Sequence, residues 1–595
     1  MQAGFGKIDI TPRVGVELCG FGPFLNRKSI AVRDRLWARA VALRAGGTTL
    51  VLASCDIIGV TRSITAQVRN LVGATTGLPA EAVMVHCTHT HSGPATQPIH
   101  GWGVADPPYL AILPHRIARA CIEAIGDLDG VDAGRRIDAR GFLVCPGFVD
   151  PHSHAELALL TGREMPGRLA QGITTEVVGQ DGLSFAPAAP AHLQDWRRYL
   201  RCLYGDGPDE MWSWRSVGDF VASLDGRASN AVYLVPHGAL RVEVMGWAPR
   251  PATGDELAAM AGLLRRGLDE GAAGLSTGLN YVPCSHATTD EMVALCRVVA
   301  RAGGVYVTHL RSYGAQVLAA IDEAIDIGRR SGVAVHISHL RVADPSNHGL
   351  APAMLERIDR ARAGGVDVTF DLYPYTWGCA PLLVVLPPWA QEGGPAPILE
   401  RLGDPATVAR MDAEMSAAGI DWSACNVSNL PPLPCGDWDG ASLPQVAAAL
   451  GLPPSRAVLR LLLESELDAT FVAGGGSEED NALLLAHPAA MIGSDGVLVG
   501  RHPHPRGYGC FPRVLARCVR ESRLMSWEAA IAKMTALPAA RFGLEDRGRL
   551  RAGAAADLVV LSPERVADTA TFEEGRRPPG GIGYRPPTST SSSRP

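Results

Sequence analysis

The chain has 595 residues, 47% of them hydrophobic, which is enough apolar material for a large core with further elements attached. Its net charge is −6, from 55 basic and 61 acidic residues without a long block of either sign, so the charge pattern excludes a nucleic-acid partner and favours a small-molecule ligand. The 13 cysteines form no CxxC pair, which suits a reducing compartment. No export signal is visible and no apolar run could span a bilayer. We therefore expect a cytoplasmic protein without a membrane partner.

Residues 1–122 are expected to form a separate α/β segment. Two strand-like runs, TTLVLASCD and AVMVHCTHTHSGP, are separated by a stretch of helical period. The second run contains His89 and His91, which an extended backbone would turn to the same side. A histidine pair of this kind could bind a metal ion.

Eight short apolar runs alternate with helical stretches between residues 147 and 545. The runs are 147–154, 172–179, 231–238, 272–279, 304–311, 333–341, 366–375 and 489–496. The alternation predicts βα units, so the fold class is α/β, and eight runs favour a closed (β/α)8 barrel of TIM type over a doubly wound open sheet. Residues 376–488 interrupt this rhythm as an insertion, either a lid at the active-site mouth or a surface excursion.

Two segments, 123–146 and 546–582, flank the barrel and look like strands joined by tight turns. Because they bracket the barrel in sequence, we expect them to pair in a small β-sandwich. A strand-like closing segment is not evident, which leaves the completeness of this sandwich open. The last residues, 583–595, are rich in Pro, Ser and Thr and are predicted to be disordered.

Histidine and aspartate side chains stand at the predicted carboxyl ends of the barrel strands. His152 and His154 follow the first strand, and their spacing directs both imidazoles to one face. Later strands end near Asp181, His309, His339 and Asp495. One such histidine is usually a structural residue with a hydrogen-bond partner. Together these groups would be costly to bury unpaired, so the sequence favours a metal site.

The motifs resemble those of the amidohydrolase superfamily and, within it, the D-aminoacylases, which are N-acyl-D-amino-acid deacylases. The resemblance extends from about residue 124 to residue 582. Its anchors, in order, are IDARGFLVCPGFVDPHSH, QGITTEVVGQDG, STGLNYVP, THLR, ISHLR, DLYPYTWG, GSDG, HPHPRGYG and GRLRAGAAADLVVL. It implies a (β/α) barrel with a small β-sandwich, and a centre that holds one or two zinc ions.

By this resemblance each zinc position would have its own histidine pair, His152 with His154 and His309 with His339. The ligand from the second strand, commonly a cysteine in the family, is Asp181 here. The barrel strands contain no lysine, so a carboxylated lysine cannot bridge the two ions. We therefore expect Asp181 to be the bridge, with Glu176 as a distant second candidate.

The implied reaction is hydrolysis of the amide bond of an N-acyl-D-amino acid to a carboxylate and a free D-amino acid. Asp495 would accept a proton from metal-activated water and donate it to the departing amine, although it could instead merely cap the next turn. The candidates for binding the substrate are Arg341, Tyr373, Cys379 and Arg506. Family members often have lysine at the position of Arg341 and a hydroxyl residue at that of Cys379. A surface position is the alternative for Arg506.

Two other functions stay open: another amidohydrolase reaction, such as opening of a cyclic amide, and a binding role in an inactive chimeric protein. The second is motivated by Asp181 and by IDITP and THTHSGP, which resemble the beginning of the neutral, non-lysosomal ceramidases over about 120 residues. The remaining ligands and the nucleophile region of that family have no counterpart here. We therefore expect a truncated segment with an incomplete site at His89 and His91.

Overall fold

The computed structural model describes residues 2–20, 27–100, 102–129, 139, 141–188, 191–551 and 554–583. The chain separates into two compact units, residues 1–138 and residues 139–595. From residue 584 onward, the tail predicted to be disordered lies outside the described residues.

The N-terminal unit is a four-stranded sheet with two helices. Its elements are β1 (Gln2–Asp9), β2 (Trp37–Ala45), β3 (Thr48–Cys55), α1 (Arg62–Thr76), β4 (Val83–Cys87) and α2 (Pro107–Asp129). The strands lie in chain order, with β3 and β4 parallel and the other neighbours antiparallel. Gly6 lets α2 approach β1 closely, because a Cβ there would lie 2.1 Å from the Ala120 carbonyl oxygen. The boundary expected at residue 122 falls inside α2, whose buried side continues to Leu128.

Eight parallel strands form the barrel of the second unit. They are β6 (Phe148–Asp150), β7 (Ile173–Val178), β8 (Asn230–Pro236), β9 (Gly274–Gly278), β10 (Val305–His309), β11 (Ala334–Ile337), β12 (Val368–Leu372) and β16 (Ala490–Ile492). Several, such as ITTEVV in β7, are buried at every position, because helices cover one side of the sheet and the barrel interior covers the other. Seven of the predicted runs contain one of these strands completely, and β8 begins one residue before its run.

The open edge of the sheet, between β6 and β16, is bridged just beyond the two strands. Ser153 pairs with Gly496 in parallel register, and the Asp495 N–H donates a hydrogen bond to the His152 carbonyl oxygen at 2.8 Å. The nearly closed barrel confirms the predicted fold class over the open-sheet alternative. It also brings the ends of the first and last strands together.

The helices of this unit follow and cover the strands. They are α3 (Glu156–Thr161), α4 (Met165–Ala170), α5 (Leu193–Tyr204), α6 (Val217–Ser223), α7 (His237–Met245), α8 (Gly254–Asp269), α9 (Thr289–Arg301), α10 (Val317–Ser331), α11 (Ala351–Ala363), α12 (Pro395–Gly403), α13 (Pro405–Ala417), α14 (Leu443–Leu450), α15 (Pro454–Glu464), α16 (Glu478–Ala486), α17 (Arg506–Arg513), α18 (Trp527–Met534) and α19 (Ala536–Arg541). No single described helix is both long and apolar enough to cross a membrane; the pair α14 and α15, bent by 88°, passes that length and composition test only when taken together.

The predicted insertion contains its own antiparallel sheet. Its strands are β13 (Gly378–Pro381), β14 (Cys425–Asn429) and β15 (Thr470–Ala473). They lie in the order β13-β15-β14.

The segments that flank the barrel pair with each other, as their position in the sequence suggests. β5 (Leu143–Pro146), β17 (Leu558–Leu561) and β18 (Ile582–Gly583) form an antiparallel sheet in the order β18-β17-β5. Within the described residues this is a single sheet rather than the expected sandwich. One layer suffices because its buried side chains, such as Val559, join the same core as the barrel residue Phe148.

Candidate metal centre and active site

The six strand-end residues converge at one end of the barrel, and none of them is more than 7% exposed. They form two groups of potential metal ligands. The first group is His152, His154, Asp181 and Asp495, and the second is Asp181, His309 and His339. Asp181 belongs to both groups, so it lies between two possible cation positions.

In the first group, two imidazoles face two carboxylates. His152 Nε2 lies 3.7 Å from Asp181 Oδ1 and 3.6 Å from Asp495 Oδ1. His154 Nε2 lies 3.6 Å from Asp181 Oδ2 and 3.3 Å from Asp495 Oδ1. Ligand atoms at roughly 2.0–2.1 Å from one tetrahedral cation would be about 3.4 Å apart. The spacing therefore fits four groups around one divalent cation.

The second group combines Asp181 with two further histidines. His309 Nδ1 is 3.9 Å from Asp181 Oδ2, and His339 Nε2 is 3.9 Å from Asp181 Oδ1. The two imidazoles are 2.9 Å apart through these same nitrogen atoms. Each Asp181 oxygen thus lies near one histidine of each pair, so this carboxylate is within reach of both groups.

Glu176, the second candidate for the bridge, is engaged elsewhere. Its two carboxylate oxygens accept hydrogen bonds from Arg168 at 2.9 Å and 2.7 Å. Arg168 also pairs with Asp150, and all three side chains are fully buried. Both oxygens of Glu176 are therefore occupied by Arg168, and Glu176 belongs to neither group of potential metal ligands.

The electrostatics of the cluster suit a cation. Burial disfavours a charged imidazole, but hydrogen bonds to Asp181 and Asp495 outweigh burial and raise the pKa of His154 to about 9. Burial and the neighbouring His339 lower the pKa of His309 to about 3. Neither His152 Nε2 nor Asp181 Oδ1 has a hydrogen-bond partner among the described residues. Buried polar atoms are rarely left this way, and a divalent cation would satisfy both.

Three of the candidate ligands have a backbone that few side chains adopt. Asp181, His339 and Asp495 have positive φ angles of 59°, 32° and 47°. Each follows the end of a barrel strand, where the chain turns sharply to begin the next loop. Such conformations are costly for non-glycine residues and concentrate at functional sites.

Arg506 begins α17 and is completely buried, so the alternative of a surface arginine is wrong. Its Nη2 lies 2.8 Å from Asp495 Oδ2, and its guanidinium carbon lies 4.5 Å from the centre of the Tyr373 ring. Burial would raise the pKa of Asp495, but Arg506 and His152 outweigh it and hold that pKa below its ordinary value. Asp495 is therefore ionised. Arg506 Nε and Nη1 have no hydrogen-bond partner among the described residues.

A cavity of about 180 Å³ opens onto the cluster. Asp181, His309, His339 and Asp495 form its floor together with His154, and Arg341, Tyr373 and Cys379 line its wall. The insertion contributes Ala380, Pro381 and Val384 as well as Cys379 to the wall. Three of the four predicted substrate-binding residues therefore lie around the same space as the predicted metal ligands. Arg506 does not line the cavity, but it contacts two residues that do, Tyr373 and Asp495.

Sequence reasoning missed several residues at this site. Tyr281 and Tyr313 line the cavity, with ring centres 4.6 Å and 4.8 Å from that of His309. Tyr281 lies in the motif STGLNYVP, which pointed to the family but not to this residue, and Tyr313 is a single aromatic residue in a loop without a distinctive signal. Asp371 lies behind His152, with 3.5 Å between Asp371 Oδ2 and His152 Nδ1. Its signal was available, since an aspartate in the buried strand VTFDL needs a partner.

In the N-terminal unit, the ring centres of His89 and His91 are 5.0 Å apart. Among the described residues of that unit, no third metal-binding side chain joins them in a cluster.

The amidohydrolase family profile matches residues 135–578. The chain belongs to the amidohydrolase family. It is 37% identical to the N-acyl-D-glutamate deacylase of Alcaligenes xylosoxydans xylosoxydans over 463 residues, which cover 78% of this chain and 86% of that protein. It is also 37% identical to the D-aminoacylase of the same organism, over 78% of this chain and 86% of that enzyme.

Among solved structures, this amidohydrolase is similar to the N-acyl-D-glutamate deacylase of Bordetella bronchiseptica, which was crystallised with zinc and a phosphonate mimic of the tetrahedral intermediate. The two are 36% identical with a TM-score of 0.65, over 75% of this chain and 85% of the other. A partial match to the neutral ceramidase of Pseudomonas aeruginosa covers 28% of this chain at 22% identity, with a TM-score of 0.20. That likeness is too low to carry a functional argument.

Proposed function

We propose that this amidohydrolase is a zinc-dependent deacylase that converts N-acyl-D-amino acids to a carboxylate and a free D-amino acid. The observation that carries the proposal is the buried cluster centred on Asp181, which opens onto a cavity beside the buried guanidinium of Arg506. The activities of the N-acyl-D-glutamate deacylase and D-aminoacylase relatives support the substrate class and stereochemistry.

The cluster offers nitrogen and oxygen ligands that suit zinc. His152, His154 and Asp181 would hold one ion, with Asp495 in reach of it. His309 and His339 would hold a second ion with Asp181. Bound zinc would polarise the acyl carbonyl and lower the pKa of water.

Asp495 is placed to move the proton that hydrolysis requires. It is ionised and lies at the cavity floor, so it can accept a proton from the attacking water and later donate it to the departing amine. Its Oδ1 faces the histidine pair, while its Oδ2 is paired with Arg506. Those contacts fix the carboxylate in one orientation, which favours proton transfer along one direction.

Arg506 would bind the free carboxylate of the substrate. Two of its N–H-bearing nitrogens have no hydrogen-bond partner in the part of the chain that the structure describes, which is unusual for a buried guanidinium. Arg341 supplies a cation to the cavity wall itself, with its guanidinium carbon 5.7 Å from the centre of the Tyr373 ring. A carboxylate on Arg506 would compete with Asp495 for the guanidinium. That competition would raise the basicity of Asp495 when substrate is bound.

Hydrolysis of a panel of N-acetyl amino acids by the full-length protein tests the proposal. The panel contains the D- and L-forms of glutamate, aspartate, methionine and leucine, with free amine measured after loading with zinc and after chelation. We expect zinc-dependent release of amine from D-substrates. Activity confined to cyclic amides such as hydantoins, or to L-substrates, would contradict the proposal, as would a folded, zinc-loaded protein with no amidase activity.

A further inference from the structure

We propose that Asp371 is a positioning residue that aligns both halves of the metal centre. It is the fourth residue of β12, it is completely buried, and it contacts neither the cavity nor a candidate cation position directly. The inference rests on the metal-dependent function proposed above. It concerns how this chain holds its own ligands in place.

One oxygen of Asp371 serves the first ligand group. Asp371 Oδ2 is 3.5 Å from His152 Nδ1, and this nitrogen has no hydrogen-bond partner among the described residues. An imidazole that binds a cation through Nε2 carries its proton on Nδ1 and needs an acceptor there. Asp371 is the carboxylate that faces this nitrogen. A contraction of about half an ångström would complete the hydrogen bond.

The other oxygen serves the second ligand group. Asp371 Oδ1 accepts a hydrogen bond from the backbone N–H of His339 at 3.0 Å. His339 has the positive φ angle of 32°, so its backbone needs support from its surroundings. One carboxylate therefore orients the imidazole of a ligand in one group and the backbone of a ligand in the other.

The carboxylate is itself held in place from two sides. His336 Nε2 is 2.9 Å from Asp371 Oδ2, while His336 Nδ1 is 2.8 Å from Thr369 Oγ1. At the other oxygen, a Cβ added to Gly493 would lie only 2.6 Å from Asp371 Oδ1. Asp371 thus has little freedom to move, as a residue that sets the geometry of others requires.

The decisive variant is Asp371→Asn, which keeps the size of the side chain and retains one oxygen. Its amide nitrogen cannot accept the His152 proton while the oxygen accepts from His339, so one of the two contacts is lost. The matched control is Asp480→Asn. Asp480 is also a buried aspartate that accepts two backbone N–H bonds, from Gly349 and Ala351, and neither bond involves a candidate metal ligand.

The measurement is cation binding rather than turnover. Zinc affinity is determined by competition with a chromogenic chelator, and the cobalt-loaded protein gives an absorption spectrum that reports ligand geometry. We expect Asp371→Asn to bind zinc about 10- to 100-fold more weakly and to change the cobalt spectrum. Asp480→Asn should bind zinc within about twofold of the wild type and keep its spectrum.

A second variant covers the case in which Asp371→Asn does not fold. Gly493→Ala displaces the Asp371 carboxylate without removing it, and should also weaken zinc binding. Wild-type affinity and spectrum in whichever of the two variants folds would overturn the inference, and so would equal weakening in Asp480→Asn. Normal zinc binding without deacylase activity in the wild type would count against the proposed function alone.

Discussion

Replacing Arg506 by methionine tests whether this guanidinium recognises the substrate carboxylate. The side chain is completely buried and pairs with Asp495 at 2.8 Å, and two of its nitrogens have no hydrogen-bond partner among the residues that the structure describes. Methionine fills a similar volume without charge or N–H groups. The variant also leaves Asp495 buried without its cation, so it should be about 3 kcal/mol less stable than the wild type.

The expected effect on catalysis follows from the lost hydrogen bonds. A hydrogen bond to a charged group contributes about 1.5–3 kcal/mol. The loss of a carboxylate contact made by two such bonds should cost about 3 kcal/mol of transition-state binding, or roughly 150-fold in kcat/KM. Because Asp495 is also perturbed, a fall in rate alone would not identify the carboxylate as the group that Arg506 binds.

The assay therefore compares N-acetyl-D-methionine with its neutral carboxamide. The wild type should prefer the free carboxylate, and Arg506→Met should lose that preference. Arg513→Met is the control, since Arg513 ends the same helix and pairs with Asp568 away from the cavity. It should keep the wild-type preference. If Arg506→Met slows both substrates by the same factor, Arg506 does not bind the substrate carboxylate.

The same variant makes a prediction about pH. Arg506 lowers the pKa of Asp495, so its removal should raise that pKa. Since the proton acceptor must be ionised, the acid limb of kcat/KM should move to higher pH in Arg506→Met. If the acid limb does not move, Asp495 is not the proton acceptor whose ionisation sets the pH dependence of kcat/KM.

Three further variants test other parts of the site and the core. Asp495→Asn should lower kcat by a factor of about 1000 or more, measured as amine release, while the protein still binds zinc in a chelator assay. Asp181→Cys should give the cobalt-loaded protein a thiolate-to-metal charge-transfer band that the wild type, with only nitrogen and oxygen donors in the cluster, should lack. Burial would raise the pKa of Glu291, but His237 and Arg241 lower it from 4.5 to about 2. The Glu291 carboxylate therefore stabilises the fold above about pH 4.5, and this stabilisation is lost as pH falls towards 2. Glu291→Gln should lower the free energy of unfolding in urea by about 3 kcal/mol at pH 7 and by little at pH 2.

The barrel could be predicted because its strands have a clear pattern in the sequence. Runs such as VYVTH of β10 and VTFDL of β12 are short, buried at every position and flanked by long helical stretches. The expected sandwich was less predictable. The flanking segments read as strands, but sequence does not show that their apolar side can pack directly on the barrel core.

From the sequence we could predict which site residues lie at the ends of the barrel strands, but not which of their side chains contact one another. The rule that parallel strands end on one face places His152 beside Asp495, though they are far apart in the chain. Predicting which side chains contact one another also requires the register of the strands and the paths of the loops. The sequence therefore did not reveal that Arg506 pairs with Asp495, that Glu176 is neutralised by Arg168, or that Asp371 lies behind His152.

The two ligand groups contain histidines with different pKa values, His309 and His154. This difference should set the order in which the two groups bind cations. His309, with a pKa of about 3, is neutral at physiological pH and can bind a cation without releasing a proton. His154, with a pKa of about 9, must lose a proton first. Binding beside His154 therefore competes with protons and weakens as pH falls, whereas binding beside His309 does not. A second cation near Asp181 also meets the charge of the first. We therefore expect the position at His309 and His339 to fill first at neutral pH.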